Sequence, residues 1–140
     1  MDNYLKPENG AFVLRVSLGI VLIAHSVYLK LFVFTLPGTA AFFGSLGLPE
    51  AMAYVVFAIE GIAGIALVIG FKTRWFAALV IPVLLGATWA HGANGWLFSN
   101  ANGGWEYPLF LTLVAIVQVF LGDGSYALKT RQVNLEAREA

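Results

Sequence analysis

Four apolar runs, each long or nearly long enough to cross a bilayer, constrain this chain more than any other feature. They lie at about residues 11–34, 51–71, 75–91 and 107–121. Spanning takes about 20 mostly apolar residues in a helix. Lipid admits only helices or closed barrels, and runs of this kind do not alternate as barrel strands do, so they are read as helices. The fourth run is short and its ends are open. Composition agrees: 59% of the 140 residues are apolar and 11% charged, where a soluble domain carries about 25% charged residues. A soluble fold this small has too little interior to hide so much apolar surface. The expected fold is all-α, an integral membrane four-helix bundle over residues 1–128, with a polar cytoplasmic tail over 129–140. Neither an internal repeat nor a second domain is visible. The first run also admits reading as a cleaved signal peptide, but it is too long for such a segment and its flanking positive charge is thin.

Orientation follows from the basic residues. With four spans, one side holds Lys6, Arg15, Lys72, Arg74, Lys129, Arg131 and Arg138, and the other only Lys30. The excess places both termini in the cytoplasm, in an inner membrane. Trp75, Trp96 and Trp105 fall near the expected interfaces, where indole is favoured. Between the runs, residues 72–74 form a tight turn, residues 35–50 carry Pro37, Gly38, Gly44, Gly47 and Pro49 and are expected to lie as a loop on the membrane surface, and residues 92–105 are rich in Gly, Asn and Trp. Small residues suited to close helix packing pair as Gly61 with Gly64, Ala66 with Gly70, and Gly86 with Ala90. Pro82 is a candidate kink. The formal net charge is zero, which gives no electrostatic case for nucleic acid. The chain has no cysteine, which removes disulfides, thiolate chemistry and thiolate-held clusters from its own repertoire.

Ionisable side chains inside a span are costly and default to functional candidates facing the bundle interior. Arg15, His25, Lys30, Glu60, His91 and Glu106 are in or beside the runs. His25 and Glu60 each sit nine residues from the outer end of their run, roughly 13 Å deep at the α-helical rise. Antiparallel neighbours therefore place them at one level, where a carboxylate beside an imidazole offers a proton relay. His91 ends the third run and Glu106 opens the fourth, both on the outer side. Each also has a structural reading: Glu60 as a paired or protonated lock between helices, His25 and Gln118 as packing hydrogen bonds, His91 as an interfacial helix end, Glu106 as a charge favoured at a helix N-terminus near Pro108, and Lys30 and Arg15 as side chains snorkelling to opposite surfaces. No local spacing supports a metal site in this set. Tyr28, Phe32, Phe57, Trp89, Trp96 and Trp105 are candidates to line a pocket for a flat apolar ligand such as a quinone, or simply to pack.

These residues occur in an order that resembles the DoxX family of small membrane proteins. The likeness extends over about residues 10–128. It comprises Arg15 followed by LGIVLIAHSVYLKL, then FFGSLGLPE, EGIAGIALVIGFKTR, His91, the GGWEYPL entry to the fourth run, and GDGSYAL after it. Ser26 stands where the family usually has Gly, and Lys129 where an acidic residue is common. The resemblance implies a four-span bundle in a prokaryotic cytoplasmic membrane, with some relatives linked to thiosulfate:quinone oxidoreduction and others to redox-stress complexes containing superoxide dismutase and a sulfurtransferase. By matching position, Arg15, His25, Lys30, Glu60, His91 and Glu106 are its recurrent polar residues.

Three functions remain open on sequence. The first is a quinone-handling redox component, in which His25, Glu60, His91 and Glu106 exchange protons and Arg15, Lys30, Tyr28, Trp89 and Trp105 contact the ligand. With no electron-carrier motif in the chain, a redox partner protein or a soluble reductant supplies electrons. The second is a non-catalytic accessory or scaffold subunit of a redox complex. The third is a small solute transporter or sensor, which four spans support best as a homo-oligomer; the broken helices and inverted repeat usual in transporters are missing.

Overall fold

Helices follow the apolar runs and extend past them. In the computed structural model, which describes residues 5–128, α1 covers Pro7–Ile23, with Pro7 in the first turn, where its fixed φ and missing N–H are harmless. The helix continues unbroken as a π-helix over Ala24–Val33. Then come α2 (Leu36–Ser45), α3 (Ala51–Ile69), α4 (Thr73–Ala90), a 3₁₀ turn (Gly92–Asn94) and α5 (Glu106–Leu121). The described residues contain no strand. The polar tail expected over 129–140, including Lys129, lies outside them.

The molecule is thus a helical membrane bundle, with two departures from the sequence reading. Among the described residues there are five α-helices, because the 35–50 stretch is not a loop throughout: Thr35 accepts a hydrogen bond from the Gly38 amide on its side-chain oxygen, at 3.2 Å, and Pro37 sits in the first turn of α2. Second, three segments are long and apolar enough to cross a bilayer, Pro7–Val33, Ala51–Ile69 and Thr73–Ala90, while α5 is an apolar helix of 16 residues. α4 runs through Pro82 without a break.

α1 packs along α3 and α4 along α5, while α3 against α4 and α1 against α5 complete the bundle. The core is an apolar stack of Leu18, Leu22, Ala63, Leu67, Ala77, Val80, Leu84, Leu111 and Ala115. Large residues on the outside, such as Ile20, Ile62, Ile65, Phe110 and Phe120, face lipid. Of the expected small-residue pairs, Gly64 packs against Gly19 of α1 and Gly61 against Ser26, whereas Gly86 faces open space. A Cβ at Gly19 would lie 2.7 Å from the Gly64 carbonyl oxygen. Gly19→Ala is therefore expected to lose about 1–3 kcal/mol through overpacking, while Gly86→Ala loses nothing; thermal unfolding in detergent reads both.

Candidate functional site

The π-helical stretch sets the geometry of the site. Its i→i+5 bonding, seen where the Phe34 amide donates to the Leu29 carbonyl at 2.8 Å, widens the turn beyond the about 3.6 residues of an α-helix. Ser26 and Lys30, four residues apart, share one face under this winding as under an α-helical one, and both reach α3. Ser26 is fully buried and donates to the Phe57 carbonyl at 2.9 Å. Lys30 lies one turn nearer the helix end, and its side chain leans back along the helix as helical side chains do. It meets the Glu60 carboxylate at 2.6 Å, with the two side chains only 16% and 7% exposed. Long helical π segments are rare, and π-bulges concentrate at functional sites.

The sequence sets Glu60 level with His25 and offers Lys30 as a group that snorkels outward or that orients or pairs at the site. Lys30 is Glu60's partner, and no hydrogen bond joins His25 to Glu60 among the described residues. His25 is half-buried and bonds its own helix, Nδ1 to the Val21 carbonyl at 2.9 Å. A carbonyl only accepts, so Nδ1 carries the proton in this contact and Nε2 is the basic nitrogen of the neutral ring. The imidazole stacks on Tyr107 of α5, centroids 6.0 Å apart. Tyr107 also lines a groove of about 380 Å³ with Trp96, Phe98, Glu106, Leu109, Phe110 and Leu113. Tyr107 and Ser26 thus belong to the site, although sequence reasoning did not select them; Tyr107 beside Glu106 in the GGWEYPL entry to α5 was the available signal.

The other candidates lie elsewhere. Arg15 is at the opposite end of the bundle, ten residues from His25 or about 15 Å along the axis, and does not snorkel. It is 0% exposed. Nη1 donates to the Leu67 and Val68 carbonyls at 2.6 and 2.9 Å and Nη2 to the Ser125 carbonyl at 3.1 Å. These acceptors exist because α3 stops at Gly70 in the left-handed conformation (φ +75°), freeing its last carbonyls. The segment after α5 is a strap over this end: the Ser125 amide donates to the Glu8 carbonyl, the Leu128 amide to Ile69, and Asp123 accepts from the Thr73 amide. Gln118 donates to Gly122, the packing role expected of it.

His91 and Glu106 organise the 92–105 loop. His91 Nδ1 contacts the Asn102 and Gly103 carbonyls at 3.0 and 3.1 Å, and Glu106 Oε1 accepts from the Phe98 amide at 2.9 Å. Trp105 meets Trp96 edge to face at 4.5 Å. Tyr28 and Trp89, 63% and 60% exposed, point to lipid. The set collected from sequence therefore divides into an ion pair, an imidazole stacked on Tyr107, a loop scaffold, a lock at the 71–74 end and lipid-facing aromatics.

A family model described as DoxX matches residues 10–93 of the chain, which takes in His25, the π-helix, Lys30 and Glu60. Over 107 residues the chain is 38% identical to a Bacillus subtilis (strain 168) protein named "Putative oxidoreductase CatD", covering 76% of this chain and 76% of that protein. No solved structure matches.

Proposed function

Because this chain belongs to the DoxX family, a multi-pass membrane family with a relative named as an oxidoreductase, we propose that it is a membrane redox component handling a quinone or quinol. The observation that carries this reading is the Lys30–Glu60 pair at 2.6 Å, held inside an apolar bundle whose first helix also carries the half-buried His25. Reducing a quinone takes two electrons and two protons, so proton-exchanging groups at an apolar wall are what the reaction needs. The groove beside Tyr107, about 380 Å³, lies in the size range of small-molecule sites, about 300–1,000 Å³. The quinone ring lies against Tyr107 and Phe110, one oxygen within reach of His25, and the isoprenoid chain continues into lipid. Nε2 of His25 exchanges a proton with that oxygen; the Lys30 ammonium and Glu60 carboxylate hold the second proton and balance charge as the quinone is reduced. Glu106 lines the same groove. Arg15, by its position, acts on the fold and not on the ligand. Electrons come from a redox partner protein or a soluble reductant.

In this reading α5 is the fourth span, about 24 Å long at the helical rise, both termini face the cytoplasm, and the groove opens to the outer half of a cytoplasmic membrane. The chain works surrounded by lipid, alone or as a homo-oligomer.

Glu60→Gln and His25→Ala are each expected to lower quinone turnover at least tenfold in reconstituted membranes, measured per folded protein because Glu60→Gln leaves Lys30 without its carboxylate. Unchanged turnover in both overturns the mechanism. The second reading, a non-catalytic accessory subunit, draws on the closeness of the pair itself, since buried ion pairs also serve to fix helix register. It predicts one stable protein partner at fixed stoichiometry and no retained quinone.

A further inference from the structure

We infer that the Lys30–Glu60 pair communicates with only one end of the bundle, the end bearing the 92–105 loop, and is closed to the end bearing the 71–74 turn. The inference rests on the site described above for its importance, but on geometry alone for its truth.

Each helix shows the same vertical order. On α1, Ser26 is followed towards the 71–74 end by Leu22, Leu18 and then Arg15; on α3, Glu60 by Ala63, Leu67 and then Gly70. On α4, Leu84, Val80 and Ala77 precede Thr73; on α5, Leu111 and Ala115 precede Gln118. All of these apolar residues are at most 7% exposed and form one cluster. Two polar layers are thus separated by an apolar septum about 10 Å thick, the seven-residue step from Glu60 to Leu67 at the helical rise. Thr112, at the edge of this layer, turns its hydroxyl back to the Pro108 carbonyl. Water enters an interior only where it finds two to four polar partners, and the septum presents none. An ion or proton crossing it would leave every hydrogen-bonding group behind.

Below the septum the end is locked. Arg15 ties α1 to the last carbonyls of α3 and to the strap. The strap is pinned to α1 through the Ser125 amide on Glu8 and the Ser125 hydroxyl on Asn9, and to α3 through the Leu128 amide on Ile69. At Gly124 a Cβ would lie 2.7 Å from the Glu8 carbonyl oxygen, so the strap sits directly on the helix backbone. At the other end α2 packs on α3 and the π-helix, but the Lys30 side chain keeps 16% exposure, and His25 is half-buried and faces Tyr107, which is itself exposed. Protons taken up or released at the pair therefore pass by way of the loop end.

The absence of cysteine makes a direct test available. Single cysteines are placed by Lys30→Cys and His25→Cys, with Phe98→Cys and Lys72→Cys as reporters of the two faces. Sealed vesicles of both orientations are treated with a membrane-impermeant trimethylammonium-ethyl methanethiosulfonate, in the absence of quinone. The expected result is that Lys30→Cys and His25→Cys react from the face that labels Phe98→Cys, at least tenfold faster than from the face that labels Lys72→Cys. His25→Cys keeps the ion pair and serves if Lys30→Cys fails to fold. Equal rates from both faces, faster reaction from the Lys72 face, or no reaction from either face would overturn the inference. The readout is independent of quinone, so one-sided access and quinone handling fail separately.

Discussion

Replacing Lys30 and Glu60 together by Met and Leu is expected to leave the bundle as stable as before or more so, while abolishing quinone turnover. The pair is buried to 16% and 7% side-chain exposure, and apolar replacement of a whole buried ion pair is often neutral or stabilising by about 1–4 kcal/mol. Glu60→Leu alone should behave in the opposite way. It leaves the Lys30 ammonium buried with no carboxylate, an imbalance that costs about 3–5 kcal/mol. Thermal unfolding of both variants in one detergent separates these outcomes. A double variant as unstable as the single would mean that the pair is a structural lock. A stable double variant with undiminished turnover would remove the pair from the chemistry.

The second large effect is expected at Arg15, and on stability alone. Arg15→Met removes three hydrogen bonds from a charged donor and leaves the Leu67, Val68 and Ser125 carbonyls without that partner. Bonds of this kind are worth about 1.5–3 kcal/mol each, so a loss on the order of 4 kcal/mol is expected. Arg15→Lys retains the charge but not the fork that reaches two segments at once, and should fall between. Hydrogen exchange at the Ser125 and Leu128 amides should quicken in step, because the strap is anchored by the same group. If Arg15→Met folds normally but loses turnover, Arg15 acts on the ligand and its assignment to the lock at the 71–74 end is wrong.

How much of this was legible in the sequence depended on whether depth or direction was being asked for. Length and hydropathy marked the runs that became α1, α3, α4 and α5 with their ends nearly right, since burying apolar residues in lipid is a property of composition. α2 escaped because Pro37, Gly38 and Gly44 read as loop-formers, although Thr35 and Pro37 together are a helix start. Counting residues placed Glu60 at the level of the α1 polar residues, which the contact of Gly61 with Ser26 bears out. It did not supply the azimuth. The stretch over Ala24–Val33 winds as a π-helix, so counting at the α-helical period misjudges its faces; Lys30 reaches Glu60 while His25 stacks on Tyr107. The tertiary bond from Ser26 to the Phe57 carbonyl in this stretch leaves no mark in local propensity. Arg15 was taken as snorkelling because its acceptors are carbonyls released where α3 ends at Gly70, and backbone acceptors leave no mark in a sequence. The Gly-Asp-Gly-Ser-Tyr stretch enters the sequence reading only as part of the family resemblance; its role as a strap follows from where the ends of α1 and α3 lie.

Quinone handling is tested most directly by native mass spectrometry of the protein released from mild detergent, beside the Lys30→Met/Glu60→Leu double variant. The spectrum weighs the chain, its oligomer and whatever it retains. The expected result is a folded wild-type protein carrying an isoprenoid quinone mass that the equally folded double variant lacks. A wild-type protein that carries only a partner chain, or a double variant that keeps the quinone, would contradict it.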